Sequence, residues 1–432
     1  MTTEVKRYAQ FCQLRTEIRA SSKHLMVGID VAKDKHHAFF GTPAGKTLWR
    51  RLLFENTIQG FNSLMEQVKT LCAEHRLPHV VFGLEPTGNY HKTLAHWLIN
   101  QGLTVVLVSG KAVKDNRQLI DGRWDKNDIK DAANVADLMC QGKCQFFEQP
   151  DASTVALRNL LSLRKRLKKE EHSLRMQFRN GLVAKYFPEF DRQWGKNLEQ
   201  NLAIVRHYLD PRKIAATDIK IFIRHVAPSI RSASTSRRLE TIHQAAKSSV
   251  GLPVDESAQF EAEVLVERHF RVMEHIDQTM ARIGGICTQQ SGYKLLLSIP
   301  GCGPYIAALI LAAIGNPHRF TSSNQVIRLA GLDLNASRSG KKSDQSVPKI
   351  SKRGDADLRY GLYQAALIAS YHNEAFKRLL ARAIKGRQCE RGIKTKARVK
   401  LAAKMMVIAW SMLKNNEPFD EKRLAAEPEY VR

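Results

Sequence analysis

The sequence has 432 residues, 43% of them hydrophobic and 25% charged, which excludes wholesale disorder and predicts two or three folded units. Lysine and arginine number 68 against 42 aspartate and glutamate residues, and this net charge of +26 indicates a polyanionic partner, with nucleic acid favoured over an unspecific basic surface. The sequence contains no run of about 18 apolar residues, so we expect no membrane span. The seven cysteines are scattered and do not complete a zinc site, which favours a reduced, cytoplasmic compartment.

The first third of the chain alternates short apolar runs with amphipathic stretches. An opening strand, turn and strand in "HLMVGIDVAKDKHHAFF" is followed by a third strand candidate at 47–56 and a helix from about Ile58 to His75. Further strands are predicted at 79–86 and 103–109, and further helices in 88–102 and 126–140. Strands that alternate with helices after an opening hairpin predict a mixed α/β sheet domain.

The pattern becomes helical after Pro150. One long arm has Leu160, Leu163, Leu167 and Leu174 at the spacings of a coiled-coil seam, and a second, from about 258 to 283, has Leu265, Val272, Ile276 and Ile283 on one side. The two arms pair either within one chain or between two chains. From about Tyr293 the chain is predicted to be helical apart from one polar loop. We therefore expect an N-terminal extension (1–24), an α/β domain (25–148), a coiled-coil or helical region (149–290) and a mainly helical C-terminal domain (291–432).

Four carboxylates carry the first candidate chemistry. Asp30 and Glu85 end apolar strands, and Asp128 and Asp131 are three residues apart, so they share one face of a helix. Acids at buried strand ends are costly unless they are paired, exposed or bound to a cation, and Mg²⁺ prefers such oxygen ligands. His36 and His37 are adjacent in a strand and point to opposite faces, which favours a structural role for both over metal ligation.

A glycine turn and a serine loop carry the second candidate chemistry. Gly301 and Gly303 separate two apolar helical segments in "SIPGCGPYIAALILAAIG", which is typical either of a helix-hairpin-helix that binds phosphate through backbone N–H groups or of an elbow packed in a core. The loop "NASRSGKKSDQSVPKISKRGDADLR" places serines beside glycine among cations, which suits a nucleophile or a plain phosphate contact.

The stretches "GIDVAKDKH", "EPTGNY" and "KNDIKDA" resemble the DEDD transposases of bacterial insertion sequences (the IS-one-ten and IS-eleven-eleven groups), a family that includes the pilin invertase Piv. The resemblance implies a RuvC-like RNase H fold in the N-terminal domain, with Mg²⁺ held by Asp30, Glu85, Asp128 and Asp131. Asn127 stands at a position where the family often has threonine, and this position is not one of the metal ligands. The serine before a glycine, matched here by Ser339 with Ser337 in reserve, is the family's nucleophile and forms a phosphoserine with DNA.

The resemblance also implies partners. A structured bridge RNA from the element's own noncoding end pairs with donor and target DNA, and the two sites of the protein come together across subunits, so we expect a homo-oligomer, a dimer or tetramer, without a membrane. The protein is then bacterial, cytoplasmic and nucleoid-associated when it acts. The expected nucleic-acid contacts are Gly301, Gly303, Arg338, Lys341, Lys342, Lys352 and Arg353.

Three functions follow from these features. The leading hypothesis is a transposase, a site-specific recombinase that excises and inserts its own element and needs both Asp30 and Ser339. The alternative is a metal-dependent endonuclease of the Holliday-junction type that uses the carboxylates alone. A nucleic-acid-binding protein without catalysis is disfavoured, because acids at a phosphate site repel the phosphate unless a metal is bound.

Overall fold

The computed structural model describes residues 3–121, 128–195, 197–229, 232–335 and 349–425. The chain forms two compact units, Met1–Pro150 and Asp151–Arg432. The first is built on a mixed sheet and the second is mostly helical, which confirms the predicted fold class at this level. The finer four-part division of the chain stays a prediction. Among the helices of the described residues, none combines the length and the apolar character needed to cross a bilayer.

The first unit contains a six-stranded sheet in the order β3-β2-β1-β4-β5-β6. The strands β1, β2 and β3 pair antiparallel, β1, β4 and β5 pair parallel, and β6 runs antiparallel to β5. Their bounds are β1 His24–Asp30, β2 Lys35–Gly41, β3 Thr47–Glu55, β4 His79–Leu84, β5 Thr104–Leu107 and β6 Gln145–Phe146. The central strand β1 thus lies between one parallel and one antiparallel neighbour.

Helices cover both faces of this sheet. Their bounds are α1 Thr3–Glu17, α2 Ile58–His75, α3 His91–Asn100, α4 Gly110–Asp121 and α5 Asp128–Cys140. Leu25, Val27 and Ile29 of β1 belong to the core that α2 and α3 close, whereas Met26 belongs to the opposite core, with residues of α1 and α5. The predicted N-terminal extension is therefore a helix packed on the sheet through Phe11.

Two glycines let α5 approach the sheet closely. Gly28 of β1 and Gly83 of β4 are register partners, so they stand side by side. A Cβ atom on Gly28 would stand 2.6 Å from the backbone nitrogen of Ala136, and Gly83 leaves the same kind of space for Met139. A larger residue at Gly28 would meet the backbone of α5 and push that helix, which carries two of the candidate acids, away from β1, whereas at Gly83 it would meet the side chain of Met139.

Within its described residues the second unit contains fifteen α-helices, one π-helical segment (Gln177–Val183), one 3-10 helix (Pro317–Arg319) and one short strand pair. The helices are α6 Ala152–Met176, α7 Ala184–Tyr186, α8 Pro188–Arg192, α9 Leu198–His207, α10 Pro211–Ala216, α11 Ile219–Val226, α12 Ala233–Ala246, α13 Glu256–Thr288, α14 Ser291–Leu297, α15 Pro304–Ile314, α16 Ser323–Leu329, α17 Ala356–His372, α18 Glu374–Ile384, α19 Ile393–Asn415 and α20 Glu421–Ala425. The strands β7 Leu334–Asn335 and β8 Lys349–Ile350 pair antiparallel.

The two long arms, α6 and α13, pack against each other within the one chain. They run antiparallel: the side chain of Gln290, just beyond α13, donates a hydrogen bond to Oγ of Ser153 at the start of α6, while Glu170 near the C-terminal end of α6 forms an ion pair with Arg268 of α13. All four predicted seam residues of α13 are buried. On α6, Leu174 is buried, and Leu160 and Leu167 are partly buried against the cores, as predicted. Leu163, by contrast, is exposed, and Leu157 and Leu161 are buried as well. A supercoil of the two helices stays a prediction.

Candidate active site

The two strand-end acids meet at one edge of the sheet. Asp30 is the last residue of β1, and Glu85 directly follows its parallel neighbour β4. The backbone N–H of Glu85 donates to the carbonyl oxygen of Ile29 at 3.4 Å, so the two chain ends leave the sheet together. Side chains alternate along a strand, which places Asp30 on the same face as Met26 and Gly28, the face that α5 covers.

Asp131 lies in the first turn of α5, next to the segment that packs over Gly28. Its side chain is only 2% exposed, and the Arg117 guanidinium on α4 donates to its Oδ1 at 2.8 Å from Nε, with Nη2 2.6 Å away. Asp128 begins the same helix, and its side chain lies outside the described residues. The described side chains do not form a group of three His, Cys, Asp or Glu that would hold a metal ion.

Glu85 lies against the start of α4. A Cβ atom at Gly110 would stand 2.7 Å from Oε1 of Glu85, so the absence of a side chain at Gly110 makes room for the carboxylate. The first turn of a helix carries a positive partial charge, which stabilises an anionic side chain placed there. Helix α4 thus supplies two charge-stabilising features to this edge of the sheet, its own first turn and the guanidinium of Arg117.

The two histidines of β2 have different surroundings. His36 is fully buried, its ring packs edge-on to that of Phe54, and its Nδ1 accepts from the Ala32 N–H at 3.3 Å in the turn after Asp30. Burial lowers its pKa below the ordinary value of 6.5. His37 is the register partner of Asp30, and directly opposed residues of an antiparallel pair project to the same face. The strand register, which the local sequence does not show, places His37 beside Asp30.

The serine loop emerges from the strand pair β7–β8. Leu334 pairs with Ile350, and Ser351 donates through Oγ to Oδ1 of Asp333 at 2.6 Å, which closes the base of the loop. The predicted nucleophile Ser339 and its reserve Ser337 lie outside the described residues, as do three of the expected contacts, Arg338, Lys341 and Lys342.

Two predicted contacts follow β8 and are exposed, Lys352 and Arg353. Lys352 has a φ of 55°, and its N–H donates to the carbonyl oxygen of Gly331 at 3.0 Å. This left-handed backbone turns the chain from the loop base toward α17 and leaves both cationic side chains in solvent. Their contact with nucleic acid stays a prediction.

The glycine turn has a packing function at one of its two positions. Gly301 has a φ of 80°, and a Cβ atom there would stand 3.0 Å from the backbone nitrogen of Ala369 on α17. Gly303 precedes α15 with no neighbour within 4 Å of such an atom, and α15 itself is almost entirely buried. The elbow interpretation thus explains Gly301, while a phosphate contact at Gly303 stays a prediction.

Comparison with known proteins shows which family the chain belongs to. A transposase model for the DEDD domain of the IS110 group matches residues 27–188, and a model described as "Transposase IS116/IS110/IS902 family" matches residues 293–381. The two segments contain both groups of candidate residues. The chain belongs to the IS110 family of transposases. A transposase breaks and rejoins DNA strands, so this family membership makes the chain a DNA-processing enzyme.

Similar proteins match over nearly the whole chain. The chain is 24% identical to the pilin gene-inverting protein of Moraxella lacunata over 402 residues, 92% of this chain and 98% of that protein. It is 24% identical to the insertion element IS110 uncharacterized 43.6 kDa protein of Streptomyces coelicolor, over 93% of this chain and 96% of that protein. It is also 24% identical to the transposase for insertion sequence element IS1111A of Coxiella burnetii, over 93% of each. The resemblance inferred from short motifs is therefore confirmed for the family.

Proposed function

We propose that this IS110-family transposase excises and inserts its own insertion sequence by site-specific recombination, through a phosphoserine intermediate assisted by a carboxylate-bound Mg²⁺. The observation that carries the proposal is the meeting of Asp30 and Glu85 at one sheet edge, beneath the helix that bears Asp131. The family's pilin-inverting relative supports the recombination of defined sites, because its name describes an inversion of DNA.

The metal would be held by Asp30, Glu85, Asp128 and Asp131. The support is that Asp30 ends β1 beneath α5, that Asp131 lies on α5 and that Glu85 lies against the start of α4, since oxygen ligands are those that Mg²⁺ prefers. Bound there, Mg²⁺ would stabilise the negative charge of an attacked phosphate. Arg117 neutralises Asp131 in this structure, so metal binding requires that this guanidinium give up at least part of its contact.

The proposed attack by serine exchanges one phosphate ester bond for another, so the energy of the DNA phosphodiester is kept in the phosphoserine. In our proposal Oγ of Ser339 attacks a DNA phosphorus, a phosphorus–oxygen bond to one deoxyribose breaks, and the departing oxygen takes up a proton while the hydroxyl of the serine loses one. A hydroxyl of the partner strand then attacks the phosphoserine and releases the serine unchanged. Lys352 and Arg353 are exposed where the loop returns, which suits stabilisation of the phosphate charge.

A structured bridge RNA that pairs with donor and target DNA would supply the site specificity, and a homo-oligomer would supply the second set of active residues. The support is the family membership and the net charge of +26, which suits a chain that contacts more than one polyanion.

The test is an excision assay in cells that carry the gene with its native flanking DNA. We expect circular excision junctions for the wild type and none for Asp30→Ala or Ser339→Ala. The matched controls are Asp34→Ala, which removes an exposed acid four residues from Asp30, and Ser337→Ala in the same loop. Circles that persist without Ser339 but vanish without Ser337 would move the nucleophile to the reserve position.

A second assay separates the recombinase from the endonuclease. Purified protein is incubated with labelled junction DNA, denatured and resolved on a gel. A labelled protein band that is present in the wild type and absent in Ser339→Ala supports the phosphoserine. DNA cleavage without any such band, retained in both serine variants and lost in Asp30→Ala, would instead favour the Holliday-junction-type endonuclease.

A further inference from the structure

The C-terminal part of the second unit contains an unusually basic helical hairpin. The segment 377–400, formed by most of α18, the turn after it and the start of α19, contains ten lysine and arginine residues against one glutamate. We call this segment the basic hairpin. The family model for the second half of the chain ends at residue 381, so most of the basic hairpin lies beyond the matched segment.

Nine of the ten cations of the hairpin are exposed, whereas Arg398 is buried and donates to Oγ of Ser370. Helix α18 turns Phe376 toward the core, with Leu379 and Leu380 packed beside it, whereas Arg378 and Arg382 are exposed on the opposite side. Arg378, Arg382 and Lys385 follow one another at four and three residues, so one cation stands on this side in each helical turn of about 5.4 Å. The buried face fixes the direction in which these cations project.

Apart from Arg378 and Arg398, which donate to Glu374 and Ser370, the cations divide into two groups by their ion-pair partners. Lys377 pairs with Glu374 at 2.6 Å, and Arg387 and Lys396 both pair with Glu390. By contrast, Arg382, Lys385, Arg391, Lys394 and Lys400 form no ion pair with any residue that the structure describes, and all five are exposed. The ion pairs around Glu390 hold the turn between the helices, and the unpaired cations flank it.

The positive charge at the start of α19 is unfavourable for the helix dipole. The first turn of a helix carries a positive partial charge and favours acidic side chains, but the first turn of α19 contains Lys394 and no acidic residue. Arg391 and Lys396 stand on either side. This arrangement costs stability locally, and features that cost stability while facing solvent are expected at binding surfaces.

We propose that the basic hairpin binds the phosphate backbone of double-helical nucleic acid. The segment contains no aromatic residue, so it offers no platform on which unpaired bases would stack. A double helix presents about one phosphate per 1.7 Å of axis, roughly twice the charge density of one strand, and it therefore suits a row of cations on a rigid element. The inference rests on the proposed function only in taking nucleic acid as the ligand.

The test compares two triple variants of the full chain with the same loss of charge. One replaces three unpaired cations of the hairpin (Arg382→Gln, Lys385→Gln, Lys394→Gln). The other replaces three exposed lysines elsewhere (Lys69→Gln, Lys220→Gln, Lys247→Gln). Binding to a 30-base-pair DNA duplex, a 30-base-pair RNA duplex and a 30-nucleotide single strand is measured by fluorescence anisotropy between about 0.05 and 0.3 M salt.

We expect the hairpin triple to lower the slope of log affinity against log salt by about 2 to 3 on at least one duplex, and to weaken that binding about tenfold or more at 0.1 M salt. The control triple should change the slope by less than about 1. The duplex that shows the larger change, DNA or RNA, is the one that the hairpin binds. Equal slopes for the two triples, or an equal change on the single strand, would overturn the proposal. The covalent-adduct gel assay reports on catalysis and the salt slope reports on this surface, so a failure of the proposed catalysis is distinguishable from a failure of this surface.

Discussion

The ion pair between Arg117 and Asp131 is the residue-scale feature that bears most directly on catalysis. Asp131 is buried, and a carboxylate removed from water destabilises the fold unless it has a partner such as this guanidinium. If Asp131 also binds a metal, then Arg117 and the cation compete for the same oxygen atoms. The side chain of Asp131 therefore bears on both the stability of the fold and the binding of a metal.

This competition gives a prediction for Arg117→Met. The variant leaves Asp131 without its partner, and we expect the free energy of unfolding to fall by about 1 to 3 kcal/mol, since the pair is partly exposed on the arginine side. Without the competing guanidinium, millimolar Mg²⁺ should raise the thermal unfolding temperature of the variant more than that of the wild type.

The control is the double variant Arg117→Met, Asp131→Asn. It removes the buried charge together with its partner, so it should recover part of the stability and lose most of the Mg²⁺ effect. A Mg²⁺ response that is equal in the wild type and in both variants would show that Asp131 is not a metal ligand.

At the scale of elements, the contact between α5 and the sheet positions the acids, and it depends on Gly28. We expect Gly28→Ala to lower the free energy of unfolding by about 1 to 3 kcal/mol, because the new methyl group would overlap α5 and force the helix outward. Hydrogen exchange of the amides in α5 and β1 should then be faster than in the wild type.

A glycine in a helix with free space around it provides the comparison. A Cβ atom at Gly284 of α13 would have no neighbour within 4 Å, and alanine favours helix more than glycine does. Gly284→Ala should therefore leave stability unchanged or raise it by up to about 1 kcal/mol. If Gly28→Ala is equally well tolerated, the close approach of α5 is not what positions the acids.

Much of the fold follows from periodicity in the sequence. The helix predicted from Ile58 to His75 has those bounds in the structure, and the buried side of α13 agrees at all four predicted positions. The prediction for α6 was wrong at Leu163, because a run of leucines is compatible with more than one seam and the packing partner selects among them. Neither does a periodic pattern identify Glu171, a buried acid of α6 whose partners Lys168 and Arg175 are on the same helix.

The candidate site was predictable in part. That Asp30 and Glu85 would meet follows from the rule that adjacent parallel strands end at the same edge. The ion pair of Asp131 with Arg117 depends on how α4 packs beside α5, and the position of His37 depends on the strand register. Neither can be predicted from the local sequence. Family resemblance supplied the serine, which spacing alone left open between a nucleophile and a phosphate contact.

At the scale of the whole molecule, buried histidines give both units the same response to acid. Burial is the largest cause of a lowered pKa for His36 in the first unit and for His269 in the second. For His269, the nearby carboxylate of Glu171 opposes this effect, while the charges of Arg175 and Lys168 add to it. A histidine whose pKa is lower in the folded than in the unfolded state binds fewer protons when folded, so acid favours unfolding.

We therefore expect the free energy of unfolding, measured by urea denaturation, to be nearly level from pH 8 to 7 and to fall below about pH 6.5, the ordinary pKa of histidine, by up to about 1.4 kcal/mol per pH unit for each buried histidine. His36→Phe and His269→Phe should each flatten this decline, whatever their effect at pH 8, because each removes one group that binds a proton only after unfolding. The control variant is His372→Gln, which replaces a histidine that is exposed in the folded protein. If the decline between pH 6.5 and 5 is as steep in both phenylalanine variants as in the wild type, then carboxylate protonation and not histidine burial governs the acid response of the fold.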